Sequence, residues 1–146
     1  MPFTNPPDSE IHSILSNPTT VAVIGCSDNL SRDSLKIALL LKSRGFRVVP
    51  VNPALKPDAL VDALGERAYP DLASIPFPVE IVDVFRRPEF LPEIAEQAIA
   101  KGARILWGQL GVINLDAARR AQEAGLTVVM DRCPAIERPR LGLDAE

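Results

Sequence analysis

The sequence predicts an α/β chain: a single doubly wound, five-stranded parallel sheet in the order 3-2-1-4-5, with helices on both faces. Three observations carry that expectation. Short β-branched apolar runs recur along the chain, amphipathic helical stretches alternate with them, and the links between the two are short. Runs without polar alternation mark strands buried on both faces. Strict strand–helix alternation requires right-handed crossovers, and these cover a parallel sheet on each side. The 146 residues fit one domain of ordinary size, so the domain is expected to span 1–146, with 1–18 as an N-terminal helical extension.

Within that extension, residues 7–16 place Ile11, Ile14 and Leu15 at helical spacing and predict a short helix packed on the domain. The run 21–25 (VAVIG) is the first strand. After a polar loop, Asp33 or Ser34 caps a helix whose apolar positions Leu35, Ile37, Ala38, Leu40 and Leu41 recur until Gly45 ends it. Residues 46–51 form the second strand. The unit then returns as strand 79–85, helix 88–101 closed by Gly102, strand 104–107, helix 115–124 and strand 126–130. The stretch 52–78, rich in Pro and Gly, breaks the alternation; one weak helical turn and loop are expected there.

Composition narrows the function. The apolar share is 47%, the charged share 24% and the formal net charge −3, which suits an aliphatic core and argues against a duplex nucleic-acid binder. No apolar run approaches the roughly 18 residues of a membrane span. The N-terminal MPFTNPPDSE lacks the basic start and apolar stretch of a signal peptide, so a cytoplasmic location is expected. Cys26 and Cys133 are too few and too far apart in sequence for a disulfide framework or a zinc site, and reduced thiols are expected.

In an open α/β sheet the ligand crevice forms outside the carboxyl ends of the strands where the order reverses, here expected between the first and fourth strands. The loops at that edge are 25–32, 51–53, 85–88, 107–111 and 131–134. The first, GCSDNLSR, runs from a strand into a helix N-terminus, where unpaired N–H groups and the helix dipole favour a phosphate. Gly25 permits close backbone approach, Ser27 and Ser34 add hydroxyls, and Arg32 adds charge. A plain capped loop explains the same residues. Arg32, Arg86, Arg87 and Arg132 all fall at this edge and suit several phosphates, although Asp28, Glu89 and Asp131 stand close by as ion-pair partners.

A dinucleotide fingerprint G-x-G-x-x-G is absent beyond its first glycine, and the second strand ends in Val51-Asn52-Pro53 with no acid for a ribose diol. NAD(P) is therefore the weaker candidate. Asn52 and Pro53 offer a neutral edge and a rigid turn that suit an adenine slot, while Pro53 reads equally as the start of a loop. The sole histidine, His12, lies away from the strand-end loops, so no Ser, Cys or Asp gains an imidazole partner and no catalytic residue is expected. Neither H-x-E nor C-x-x-C occurs, and no metal site is expected. Cys133, in the DRCP turn, is read either as a thiol poised to exchange with a ligand thiol or as a small buried hydrophobe.

The segments VAVIGCS with Arg32 and Ser34, VVPVNP, LGERAYPDLASIP, VDVFRRPE, GARILWGQLGV and AGLTVVMDRCPAIE occur in this order. Together they resemble the small stand-alone CoA-binding proteins with a Rossmann-like domain, related to the CoA-binding domain of succinyl-CoA synthetase alpha subunits. The resemblance implies that Gly25, Cys26 and Ser27 hold the CoA pyrophosphate. It further implies that Asn52-Pro53 and Phe85-Arg86 border the adenosine, and that Gln109, Leu110 and Gly111 line the pantetheine side. The phosphorylated histidine and nucleotide-grasp domain of the larger synthetases lie outside this module. The expected function is thus binding of CoA or a short acyl-CoA as carrier, sensor or regulatory subunit, without catalysis. An NAD(P)-binding redox domain or sensor is the alternative, and a ligand-free protein-interaction module using the 52–78 segment is the next. The oligomeric state stays open between monomer and small homo-oligomer, and the resemblance adds a larger synthetase-like partner as an option.

Overall fold

Strand β1 (Thr20–Ile24) is buried at all but its first residue and β5 (Ile81–Val84) at every residue. Such burial requires strand neighbours on both sides and cover on both faces. The computed structural model, which describes residues 3–56 and 58–144, satisfies both. β1, β2 (Arg47–Val51), β5, β6 (Ile105–Gly108) and β7 (Thr127–Val129) form one sheet in the order β2-β1-β5-β6-β7. Every pairing is parallel, with Val23 beside Pro50 and Asp83, and Asp83 beside Trp107. The expected fold class is observed.

The expected strand order is not. Counted over the five predicted strands the order is 2-1-3-4-5, because the third lies against the first instead of beyond the second. Connection length decides this. Helix α3 (Leu91–Lys101) reaches β6 through a tight link at Gly102. That link cannot step across several strands spaced about 4.8 Å apart. Only the connection 52–80 is long enough to pass over β1. The reversal, and with it the crevice, therefore falls between β1 and β5, the first and third predicted strands.

Side chains of each strand alternate between two apolar layers. Val21, Val23, Val48, Ile81, Trp107 and Val129 meet α1 (Asp8–Ser16) and α2 (Asp33–Ser43). Ala22, Ile24, Val49, Val82, Val84, Leu106 and Val128 meet α3 and α4 (Leu115–Glu123). The predicted N-terminal helix forms and buries Ile11 and Leu15. Asn114 caps α4, its Oδ1 accepting from the Ala117 N–H at 3.0 Å, as expected of Asn at this position.

Residues 52–78 contain no helix among the described residues; a single turn closed by the Gly65 N–H on the Val61 carbonyl at 2.9 Å joins a small antiparallel hairpin, β3 (Leu60–Val61) and β4 (Glu66–Arg67). Beyond it the chain runs along β2: the Tyr69 N–H donates to the Pro50 carbonyl (3.0 Å) and the Asn52 N–H to the Tyr69 carbonyl (2.9 Å). At the opposite margin, Asn5 pairs with the backbone of Met130 through both its side-chain atoms, at 2.8 and 2.9 Å. A fifth helix, α5 (Pro134–Arg140), was not anticipated. Arg140 clamps it to Asp8 of α1 at 2.9 Å, and the buried Arg138 donates to the Leu15 carbonyl at 2.7 Å. The outermost bounds expected for the domain, 1 and 146, lie outside the described residues.

Candidate functional site

β1 leads into α2 on one face of the sheet and β5 into α3 on the other, so the two connecting loops part at the carboxyl edge. Between them lies a crevice of about 710 Å³, lined by Gly25, Ser27, Arg32, Ser34, Asn52 and Phe85 among others. Two smaller recesses extend it. One of about 320 Å³ is bordered by Ile37, Phe85, Gln109, Leu110 and Cys133. The other, of about 170 Å³, is bordered by Pro53, Arg86 and Phe90. Ten of the twelve sequence-predicted site residues thus line the crevice or its recesses; Cys26 and Gly111 do not.

The 25–34 loop is braced from within. The Gly25 N–H donates to the Val51 carbonyl (2.7 Å), and the Asn52 Nδ2 donates to the Cys26 carbonyl (3.1 Å). Ser34 Oγ accepts from the Ser27 N–H (3.0 Å), and Ser27 Oγ from the Asn29 N–H (3.0 Å). These side chains, expected as ligand donors or as a neutral edge, hold the shape of the turn. Gly25 adopts φ +84°, and a methyl group on its Cα would stand 2.8 Å from the Phe85 carbonyl oxygen. Glycine alone lets the two loops approach this closely. Cys26 is fully buried among the α2-side apolar residues, and burial pushes its thiol up to about 12. Its Sγ donates to the Ser27 carbonyl at 3.5 Å, inside the turn.

No side chain caps the first turn of α2, so that turn presents N–H groups and the positive end of the helix dipole to the crevice. The four arginines divide. Arg87 pairs with Glu89 (3.7 Å) and Arg132 with Glu137 (3.6 Å). Arg32 and Arg86 make no ion pair among the described residues, and Arg86 lies over the Phe90 ring at 4.5 Å. Across the edge, Asp131 holds the next loop by accepting from the Gly111 N–H at 2.8 Å. Trp107 Nε1 donates to the Arg132 carbonyl at 2.8 Å.

A family model described as a CoA binding domain matches residues 19–139. The chain belongs to the CoA-binding domain family. The protein YneT of Bacillus subtilis strain 168 is 38% identical over 129 residues, 88% of this chain and 92% of that protein. A protein of Pyrococcus horikoshii OT3 of known structure is 36% identical, with a TM-score of 0.84, over 97% of this chain and 99% of its own. The dinucleotide-forming acetyl-coenzyme A synthetase 1 of Candidatus Korarchaeum cryptofilum, at 24% identity and a TM-score of 0.61, shares the fold over 78% of this chain and 26% of its own. The resemblance drawn from the sequence motifs is borne out at the level of family and fold. No described helix is long and apolar enough to cross a membrane.

This CoA-binding domain also carries a residue that sequence reasoning missed. Asp83, in the middle of β5, is 2% exposed; its Oδ1 accepts from Gln109 Nε2 at 2.7 Å and its Oδ2 has no partner among the described residues. Desolvation pushes its carboxyl up to about 7, against the opposing bond from Gln109. The signal was a lone acid inside the strand run VDVF. Its stability consequence has a definite sign. Between the ordinary carboxylate value and about 7 the folded state holds a proton that the unfolded state has lost, so stability falls as pH rises through that window. Asp83→Asn removes this slope. Urea unfolding at about pH 5 and about pH 8 should show the variant gaining on the wild type at the higher pH by about 3 kcal/mol; an unchanged difference would contradict it.

Proposed function

We propose that the protein binds CoA or a short acyl-CoA across the carboxyl edge of its sheet and holds it without transforming it. The carrying observation is the pairing of an uncapped α2 N-terminus with two arginines, Arg32 and Arg86, that form no ion pair among the described residues, at the switch point of a CoA-binding domain. In this reading the backbone of 25–27 and the first turn of α2 receive the pyrophosphate, with Arg32 and Arg86 supplying charge. Asn52, Pro53, Phe85 and Arg86 border the adenosine, and the recess at Gln109 and Leu110, next to Gly111 in the chain, takes the pantetheine arm. The absence of an acid at Asn52-Pro53 supports CoA over NAD(P). His12, on α1, lines neither the crevice nor its two recesses. The bound thioester or thiol would be carried, sensed or presented to a synthetase-like partner.

A thermal-shift panel of CoA, acetyl-CoA, NAD, NADP and ATP tests this. A ligand at about 100 times its dissociation constant stabilises by roughly 2.7 kcal/mol, and CoA species are expected to raise the midpoint selectively. A rise with NAD or NADP alone would overturn the reading.

A further inference from the structure

Asp83 occupies a strand position that apolar side chains fill elsewhere in the sheet, and a carboxylate there is costly. Its side-chain partner among the described residues, Gln109, is 5% exposed and anchored by its own N–H to the Val84 carbonyl at 3.3 Å. From that anchor the Gln109 side chain bridges Asp83 to the recess shared with Phe85, Leu110 and Cys133. Gln109 Oε1 takes no hydrogen bond from the described residues and is not among the atoms sealed from solvent, so it faces the recess.

The two ends of an amide are not equivalent. An ionised carboxylate only accepts, so it requires the Nε2 end of Gln109 and leaves Oε1 for the recess. A protonated carboxyl carries an O–H, which can donate to Oε1 and turn Nε2 outward. We propose that Asp83 is a positioning residue that sets which end of the Gln109 amide faces the recess. Ionised, it presents an acceptor to an N–H of a ligand's amide arm; protonated, it withdraws that acceptor. The inference rests on the CoA reading, in which the pantetheine arm supplies the amide N–H groups.

The surroundings leave Asp83 as the group that titrates near neutrality, its carboxyl lying at about 7. The turn after β1 contributes Cys26 and the turn before α5 contributes Cys133, and burial pushes both thiols up. The first turn of α2 contributes Asp33, which borders the recess. Helices α1 and α2 and the residue before β2 present Ile14, Leu15, Leu41 and Phe46 to the small void beside Asp83, none of them titratable.

The test is calorimetric titration of CoA and of adenosine 3′,5′-bisphosphate, which lacks the amide arm, into the wild type and Asp83→Asn at about pH 5.5 and about pH 8. The wild type is expected to bind CoA roughly three- to tenfold more weakly at the lower pH relative to the variant, the effect of one hydrogen bond. Adenosine bisphosphate should show no such difference. A constant wild-type to variant ratio for CoA would overturn the inference while leaving CoA binding intact, and an equal shift with the bisphosphate would overturn its assignment to the amide arm. Failure of the wild type to bind CoA at either pH would overturn the CoA reading and this inference with it. Should the variant not fold, the Gln109 side-chain amide resonances of the wild type must still move with a midpoint near neutrality; resonances that stay fixed would overturn it.

Discussion

Replacing Arg32 and Arg86 together with alanine is expected to weaken CoA binding on the order of 100-fold while leaving the melting temperature nearly unchanged. A charge-assisted hydrogen bond contributes about 1.5–3 kcal/mol, and the solvent exposure of this edge places each arginine at the lower end. Neither side chain forms an ion pair among the described residues, so the structural loss is confined to the contact of Arg86 with the Phe90 ring. The control is Arg87→Ala with Arg132→Ala. Those arginines sit at the same edge but pair with Glu89 and Glu137, and their removal should change affinity several-fold at most. Titrations at two salt concentrations sharpen the comparison, because the Arg32 and Arg86 variant should lose most of the wild type's salt dependence. Equal losses from both pairs would mean that the edge attracts the ligand by net charge alone.

The second large effect is expected at Gly25. Alanine there must adopt φ +84° and bring its methyl to 2.8 Å from the Phe85 carbonyl oxygen, a backbone atom. Phe85 is itself tied to β1 through its N–H, which donates to the Ile24 carbonyl at 2.9 Å. The overlap therefore has to be relieved by parting the loops that frame the crevice. Loss of about 2–4 kcal/mol is expected, seen as a midpoint lowered by roughly 5–15 °C, together with loss of CoA binding. Gly102→Ala isolates the cause. Gly102 has a similar φ of +81° but open space where the methyl would go, so it should cost only about 1 kcal/mol and leave binding unchanged. Equal costs at the two positions would remove the close approach of the loops from the explanation.

The fold was largely legible because strands buried on both faces leave no polar alternation, as in VAVIG and VDVF, and the helices between them carry a clear apolar stripe. Strand order was less so. Alternation dictates that the strands run parallel but says little about which lie side by side; only the contrast between the tight Gly102 link and the long 52–80 connection carried that information. The hairpin at 60–67 escaped notice because strands of two residues have no period to detect. Helix α5 hid behind its prolines: Pro134 occupies the first turn, where a missing N–H costs nothing, and Pro139 falls near the end. At the site, charge was the readable signal, and it led to Arg32 and Arg86. The polar residues Ser27, Ser34 and Asn52 were placed in the correct loops. Their hydrogen bonds, however, go to neighbouring backbone, a distinction that depends on three-dimensional paths the linear order does not contain. Asp83 was passed over because its neighbours read as a uniformly apolar strand.

The treatment of the two outer strands bears on how the molecules behave toward one another at high concentration. A bare sheet margin is a template for a second chain to add on, and parallel sheets, which assemble late from distant segments, expose such margins during folding. Here β2 contains Pro50, which lacks an N–H; the Pro50 carbonyl accepts from the Tyr69 N–H, and just beyond the strand the Asn52 N–H donates to the Tyr69 carbonyl. β7 is only three residues long, and Asn5 occupies the backbone donor and acceptor of Met130 just beyond it. Pieces of the chain that lie outside the sheet thus cover the carboxyl end of each margin, where they stand in the way of strand-by-strand addition by a second molecule.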